Sequence, residues 1–374
     1  MGHLSSVSFV STYPPTRCGL ATFTKSLLEA MAAYRDQIDP GGPPALSVLA
    51  VSQPSGVVPH EVVGRIDPGI TPVAPPSSDY VILQHEFGIY GPDDGIAVLD
   101  IIDALGAPVV AVLHTVLMEP TRRQRYIIQA MARRVHRLVV MSETARDRLL
   151  ERYDLGGCPV ESIPHGAWLA DRPPHLDRPR SKILTWGLLG PGKGLEQGIV
   201  ALSKLRHLEP KPLYVIAGQT HPNVLLRHGE RYRQQLADLA AKLDVADMVR
   251  FDNHYLSAGD LAALRAQADV CLLPYESRDQ VTSGALVEAI GARLPVVATR
   301  FPHAVELLSG GAGELVDYDD PDAIALALER FLTDPEARTR AQVEIGRLRP
   351  SFSWSAVARR YEALLAGSGA VLVK

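Results

Sequence analysis

Three segments of this 374-residue chain combine residue types that bind anions and hydroxyl groups. In Trp186-Gly187-Leu188-Leu189-Gly190-Pro191-Gly192-Lys193-Gly194, four glycines and a lysine follow an apolar run and precede a helical pattern. Amides at such a helix start can cradle a phosphate, and Lys193 adds one positive point charge. The spacing matches neither G-x-x-x-x-G-K-S/T nor G-x-G-x-x-G, which weakens nucleotide-hydrolase and dinucleotide-fold readings. A plain turn with a solvated lysine is the other reading. In Tyr13-Pro14-Pro15-Thr16-Arg17-Cys18-Gly19-Leu20, two prolines force a turn and Gly19 permits close approach. The amides of Gly19 and Leu20 could then face an anion, or the segment is a simple strand-to-helix turn. The third segment, residues 274–291, leads through Gln280 and Val281 to Thr282, Ser283 and Gly284 at a helix start. Backbone donors there suit hydroxyl or phosphate oxygens. Glu288 is the only charge between Gly284 and Ala292. A carboxylate on so apolar a helix must be solvated, paired or bound to ligand hydroxyls, and the composition favours the last two.

Gln84-His85-Glu86-Phe87-Gly88 follows another apolar run, and His165 lies in Pro164-His165-Gly166. His85, Glu86 and His165 are candidates for contact with an acceptor, weighed equally against structural hydrogen bonding. No His, Asp and Glu set has metal-ligand spacing, so no metal is expected. The three cysteines, Cys18, Cys158 and Cys271, lie far apart without a C-x-x-C pair, which suits reduced thiols in a cytoplasmic protein.

These segments need elements to hold them. Short apolar runs alternate with helical patterns along the chain, as in parallel sheets with crossover helices. Strands are expected at 7–11, 46–51, 80–83, 109–113 and 138–141, then at 183–186, 213–217, 249–251, 270–273 and 296–299. Their near-continuous apolar character predicts sheets covered on both faces. A proline-rich, charged stretch separates the two series. The expected domains are 1–170, a linker at 171–180, 181–350, and a C-terminal helix at 351–374 that crosses back to the first domain.

With 38 basic and 42 acidic residues the formal charge is −4, which gives no general attraction to nucleic acid. Residues 1–12 lack the features of a secretory signal, and no apolar run approaches the ~20 residues that span a bilayer. Residues 122–152 carry nine arginines. A solvated helical surface explains such a run, and peripheral docking on an anionic membrane or a phosphorylated acceptor is the sharper alternative.

The N-terminal glycine turn, the G-x-x-G-P-G-K-G loop, the stretch 257–275 and Ser283-Gly284-Ala285-Leu286-Val287-Glu288 with its continuation to Thr299 resemble the family-4 retaining glycosyltransferases. The likeness is strongest over 183–316. It implies an α/β chain of GT-B architecture, two facing Rossmann-like doubly wound domains with an interdomain cleft. It further implies transfer of a hexosyl group, mannosyl or glucosyl, from a UDP- or GDP-sugar to a carbohydrate, lipid-linked or small-molecule hydroxyl, with no cofactor besides the donor. By resemblance Glu288 holds the ribose hydroxyls, Lys193 contacts the donor diphosphate, and Gln280, Val281, Thr282, Ser283 and Gly284 hold the donor sugar. Tyr255, Leu256 and Ser257 receive the nucleobase, Gly19 lies near the phosphates, and His114 lies near the transferred sugar. His114, Lys193 and Gln280 are the residues assigned to catalysis. Two positions depart from the family pattern: Gln280 stands where a first glutamate is usual, eight positions before Glu288, and Leu188 where an arginine is usual. Arg278, Arg293 and Arg300 are the nearby guanidinium groups. A glycoside phosphorylase and a catalytically silent sugar- or nucleotide-binding protein are the alternatives those departures motivate.

Overall fold

The computed structural model describes residues 5–41, 46–51, 57–68, 78–170 and 180–369. The chain divides into two compact units, residues 1–166 with 353–374, and residues 167–352. Residues 171–179, nearly all of the expected linker, lie outside the described residues.

The first unit holds strands β1 (Val7–Ser11), β2 (Leu46–Val51), β3 (Val62–Ile66), β4 (Tyr80–His85), β5 (Val109–Leu113), β6 (Arg137–Val140) and β7 (Val160–Ser162). They form one sheet in the order β3-β2-β1-β4-β5-β6-β7, and every neighbouring pair is parallel. The second unit holds β8 (Lys182–Trp186), β9 (Leu213–Ala217), β10 (Val249–Asp252), β11 (Val270–Leu273), β12 (Val296–Thr299) and β13 (Gly313–Val316). Their order is β10-β9-β8-β11-β12-β13, again all parallel. In each sheet the winding reverses once, between β1 and β4 and between β8 and β11. The carboxyl ends of strands at such reversals leave a crevice in which open α/β sheets bind ligands.

The central strands are buried throughout, as at Tyr80–His85 and Val109–Leu113, because helices cover both faces. Three strands are absent from the sequence expectation: β3, β7 and β13. All are edge strands, half-exposed and interrupted by Gly64, Glu161 or Glu314. An edge strand has one bonding neighbour and no continuous burial to imprint an apolar run. The helices Pro222–His228 and Pro302–Leu308 each begin with a proline, which fits the first helical position because its missing N–H would have no intrahelical partner there. Among the described residues no helix is long and apolar enough to cross a membrane.

The C-terminal helix Trp354–Gly369 belongs to the first unit, where Trp354, Val357, Tyr361 and Leu365 join the core formed by Phe9, Phe23, Leu27 and Met31. Arg35 on the helix Gly19–Ile38 donates through Nε and Nη2 to the two carboxylate oxygens of Glu362, at 2.6 and 3.1 Å, and both side chains are buried. A third guanidinium bond reaches the carbonyl of Ser5 at 2.9 Å.

Candidate active site

In the second unit the loops that follow β8 and β11, the strands at the winding reversal, are fastened together. The amide of Glu276 donates to the carbonyl of Gly192 at 3.1 Å. Gly194 has φ +63°, and a Cβ there would lie 1.8 Å from the carbonyl oxygen of Pro274. Gly194 therefore gives the loop a left-handed turn and backbone-to-backbone contact that another residue would block. Lys193, just before it, sets its ammonium 4.3 Å from the centre of the Tyr275 ring, which also stacks on Phe301.

The helix Gly284–Gly291 starts at the same end of the sheet. Ser283 caps it by accepting the amide of Leu286 at 3.3 Å. Its own amide donates to Nδ1 of His303 at 2.9 Å, and the amide of His303 donates to the carbonyl of Gln280 at 3.2 Å. His303, from the helix Pro302–Leu308, thus clamps the loop 280–283, a role that no pattern in the sequence signalled. Gly284 and Ala285, at the first positions of the helix, keep amides without intrahelical partners. The side-chain Nε2 of Gln280 turns back to donate to the carbonyl of Thr282, and the Thr282 hydroxyl is buried without a partner among the described residues.

Glu288 is paired. Its Oε2 accepts from Nη1 of Arg265 at 2.8 Å and from the indole Nε1 of Trp186 at 2.9 Å. The two side chains of the ion pair are 26% and 12% exposed. Arg265 also lies over the Trp186 ring at 5.9 Å. Neither partner was foreseen; Arg265 comes from the helix Ala258–Gln267 and Trp186 from the end of β8. Of the expected base-binding residues, Leu256 packs on the core and Ser257 caps the helix Ala258–Gln267 through a capping box with Asp260; Tyr255 is half-buried. The guanidinium groups near the missing arginine have other partners: Arg278 stacks on Tyr318 at 4.3 Å and Arg300 pairs with Asp317 at 2.9 Å. Arg293 sits at φ +57° just past the helix Gly284–Gly291.

In the first unit Gly19 opens the helix Gly19–Ile38, and Cys18 caps it by accepting the amide of Ala21 on its sulfur. A Cβ at Gly19 would meet nothing within 4 Å, so the fold itself does not demand glycine there. β4 delivers Gln84 and His85, fully buried, and β5 delivers His114. Neither ring nitrogen of His85 has a partner among the described residues, and its ring lies against Phe87 and Tyr90. Burial lowers its pKa to about 3. Glu86 accepts from the amide of Phe87 at 3.0 Å and from the Thr115 hydroxyl at 2.6 Å, while burial raises its pKa. His114 Nε2 lies 2.7 Å from Oε1 of Gln84. Burial, then the neighbouring His165 and His85, lower the His114 pKa to about 3. His165 packs between Phe23 and Trp354, with Nδ1 2.7 Å from the carbonyl of Gly166.

The arginines of 122–152 are largely engaged. Arg123 pairs with Asp93 and Asp94, Arg133 with Asp154, Arg134 with Asp103, Arg137 with Glu161 and Arg146 with Glu143. Arg148 is buried and donates to the carbonyl of Val116. Among the described residues no group of three or more His, Cys, Asp or Glu side chains is placed to hold a metal ion.

Residues 170–345 match the family model of the glycosyl transferases group 1, and residues 19–169 match that of glycosyltransferase family 4. The chain is similar to a glycogen synthase of Mycobacterium tuberculosis, 29% identical over 269 residues, which cover 67% of this chain and 61% of that one. It is also similar to a GDP-mannose-dependent alpha-(1-6)-phosphatidylinositol monomannoside mannosyltransferase of Mycolicibacterium smegmatis, 31% identical over 234 residues, 60% of this chain and 52% of that one. The chain thus spans about half to three fifths of the length of these curated relatives. Among solved structures, Anabaena HepE in complex with UDP and glucose shares the fold with a TM-score of 0.73 at 14% identity, over 97% of this chain and 99% of that one.

Proposed function

Because the chain belongs to the family-4 glycosyltransferases, of GT-B architecture, we propose that it transfers a hexosyl group, mannosyl or glucosyl, from a UDP- or GDP-sugar to a hydroxyl acceptor with retention of configuration. The observation that carries this reading is Glu288, a carboxylate whose partners among the described residues, Arg265 and Trp186, both engage Oε2. Oε1 remains to accept from vicinal hydroxyls of a ribose. The same unit sets Lys193 and the amides of Gly284 and Ala285 at the strand ends where a diphosphate would gather negative charge.

In the proposed step the bond from the sugar's anomeric carbon to the phosphate oxygen breaks. A bond from that carbon to the acceptor oxygen forms on the same face, and the acceptor's proton passes to the departing phosphate. Lys193 and the helix amides stabilise the charge that develops on the leaving group, which needs fixed dipoles more than any protein nucleophile. On the family resemblance, Gly19 is assigned to the phosphates, His114 to the transferred sugar, Gln280 to Gly284 to the donor sugar, and Tyr255 to Ser257 to the base. The donor is a substrate, and the reaction calls for no cofactor. A carbohydrate or lipid-linked acceptor suits the names of the relatives. Peripheral membrane contact through 122–152 is a weaker proposal, since most of that charge is paired within the protein; failure to cosediment with anionic vesicles ends it.

Calorimetry with UDP and GDP tests the reading, followed by labelled UDP- and GDP-sugars across an acceptor panel. One nucleotide should bind, and Glu288→Ala should weaken it by about tenfold or more, the value of a charged hydrogen bond. Unchanged affinity in that variant overturns the role of Glu288. Nucleotide binding without transfer or donor hydrolysis overturns the transferase.

A further inference from the structure

β4 ends on two consecutive buried polar residues, and successive strand side chains point to opposite faces. His85 meets Phe87 and Tyr90. Gln84 meets the imidazole of His114, its Oε1 2.7 Å from Nε2. We propose that Gln84 is a positioning residue for His114: it takes the Nε2–H, and so leaves Nδ1 as the acceptor offered to a hydroxyl of the transferred sugar. This deepens the assignment of His114 to that sugar and rests on it.

Both partners are immobilised. Gln84 is fully buried and registered against Val112 of β5, and its backbone carbonyl accepts the Tyr90 hydroxyl at 2.6 Å. The amide of His114 donates to the carbonyl of His85 at 3.1 Å, and the Phe23 ring packs T-shaped with the imidazole, ring centroids 4.9 Å apart. The backbone of His114 is thus tied to β4 and its ring is packed against Phe23. The ring also stays uncharged. The titratable groups around it are His85 on β4, His165 after β7, and Glu86, whose carboxylate is occupied by Phe87 and Thr115. A glutamine opposite Nε2 supplies no negative charge to hold an imidazolium. Nε2 of Gln84 is buried without a partner among the described residues, which destabilises a fold. An apolar side chain would avoid that cost, so retention of an amide fits service to the imidazole.

The test needs no sugar. In the full chain labelled with ¹⁵N-histidine, the His114 signals are identified by their loss in His114→Asn, and long-range ¹H–¹⁵N spectra then report which nitrogen carries the proton. The expected wild-type form is neutral and protonated on Nε2 between pH 5 and 8. Gln84→Leu should give a mixture of tautomers. Gln84→Glu should keep Nε2–H and bring the ring's pKa up toward or beyond about 6.5, since a carboxylate favours the cation. An Nδ1–H tautomer in the wild type overturns the proposal, and so does an unchanged tautomer in Gln84→Leu. The wild-type spectrum decides even if Gln84→Leu does not fold. With transfer measured, Gln84→Leu should lower kcat about tenfold or more at nearly unchanged KM for the donor, and Gln84→Glu should move the acid limb of the pH profile upward. If the tautomer behaves as expected but no transfer occurs, Gln84 keeps its role in fixing the ring and the reading of the reaction fails.

Discussion

His85 shows how one residue can tie stability to pH. Its ring is buried with both nitrogens unpartnered among the described residues, and its pKa is lowered to about 3. The unfolded chain takes up the proton near pH 6.5 and the folded one does not. The stabilisation is therefore fully present above about pH 6.5 and is lost progressively as the pH falls toward 3. For one such histidine the loss is about 1.4 kcal/mol per pH unit below about pH 6.5, and so about 2 kcal/mol between pH 7 and 5. Urea unfolding of the wild type and of His85→Phe at those two pH values measures it. The variant should lose about 2 kcal/mol less than the wild type, and equal losses would show that His85 titrates alike in both states. Glu288 stands at the same scale. The lone charge on an apolar helix was visible in the sequence because an unpaired carboxylate is costly there. Its partner was not, since Arg265 lies 23 residues away on another helix and nothing local links the two.

At the scale of elements, the loops after β8 and β11 act as one piece. Gly192 accepts from Glu276, and Gly194 touches the backbone of Pro274. A methyl group at Gly194 would add a left-handed strain of about 1–2 kcal/mol to a backbone collision with Pro274 that only movement of one loop or the other can relieve. Gly194→Ala should therefore destabilise the second unit by about 2–4 kcal/mol and weaken nucleotide binding about tenfold. Thermal unfolding and calorimetry on the same sample check both parts. Full stability with lost affinity would instead mean that the loop tolerates the methyl and the ligand does not. The glycine-rich loop was legible because turn and anion chemistry leave the same residues in sequence. Edge strands β3, β7 and β13 and the clamp by His303 were not legible, the first for lack of continuous burial, the second because it joins a helix to a loop 20 residues away in the chain.

At the scale of the molecule, the second unit is inserted between residue 166 and residue 353 of the first, so the first unit closes only when its last helix returns. The buried pair of Arg35 and Glu362 joins that helix to the helix Gly19–Ile38. Glu362→Ala leaves a buried guanidinium without its carboxylate, a change that costs about 3–5 kcal/mol. Hydrogen exchange should quicken across β1, β4 and the helices Gly19–Ile38 and Trp354–Gly369, and remain unchanged in residues 180–352. Faster exchange throughout would show that the two units unfold together.

The sequence by itself determined the parallel α/β class, the two series of central strands, the glycine-rich loop with Lys193 and the exceptional status of Glu288. Each is written in local composition: burial on both faces makes a continuous apolar run, and a charge in such a run stands out. Only the tertiary structure decided what those groups touch. Arg265 and Trp186 on Glu288, His303 on the loop 280–283, and Gln84 on His114 are pairings across separate elements. A hydrogen bond is set by distance in space, and the sheet order that brings β5 beside β4 and β11 beside β8 is what creates that distance.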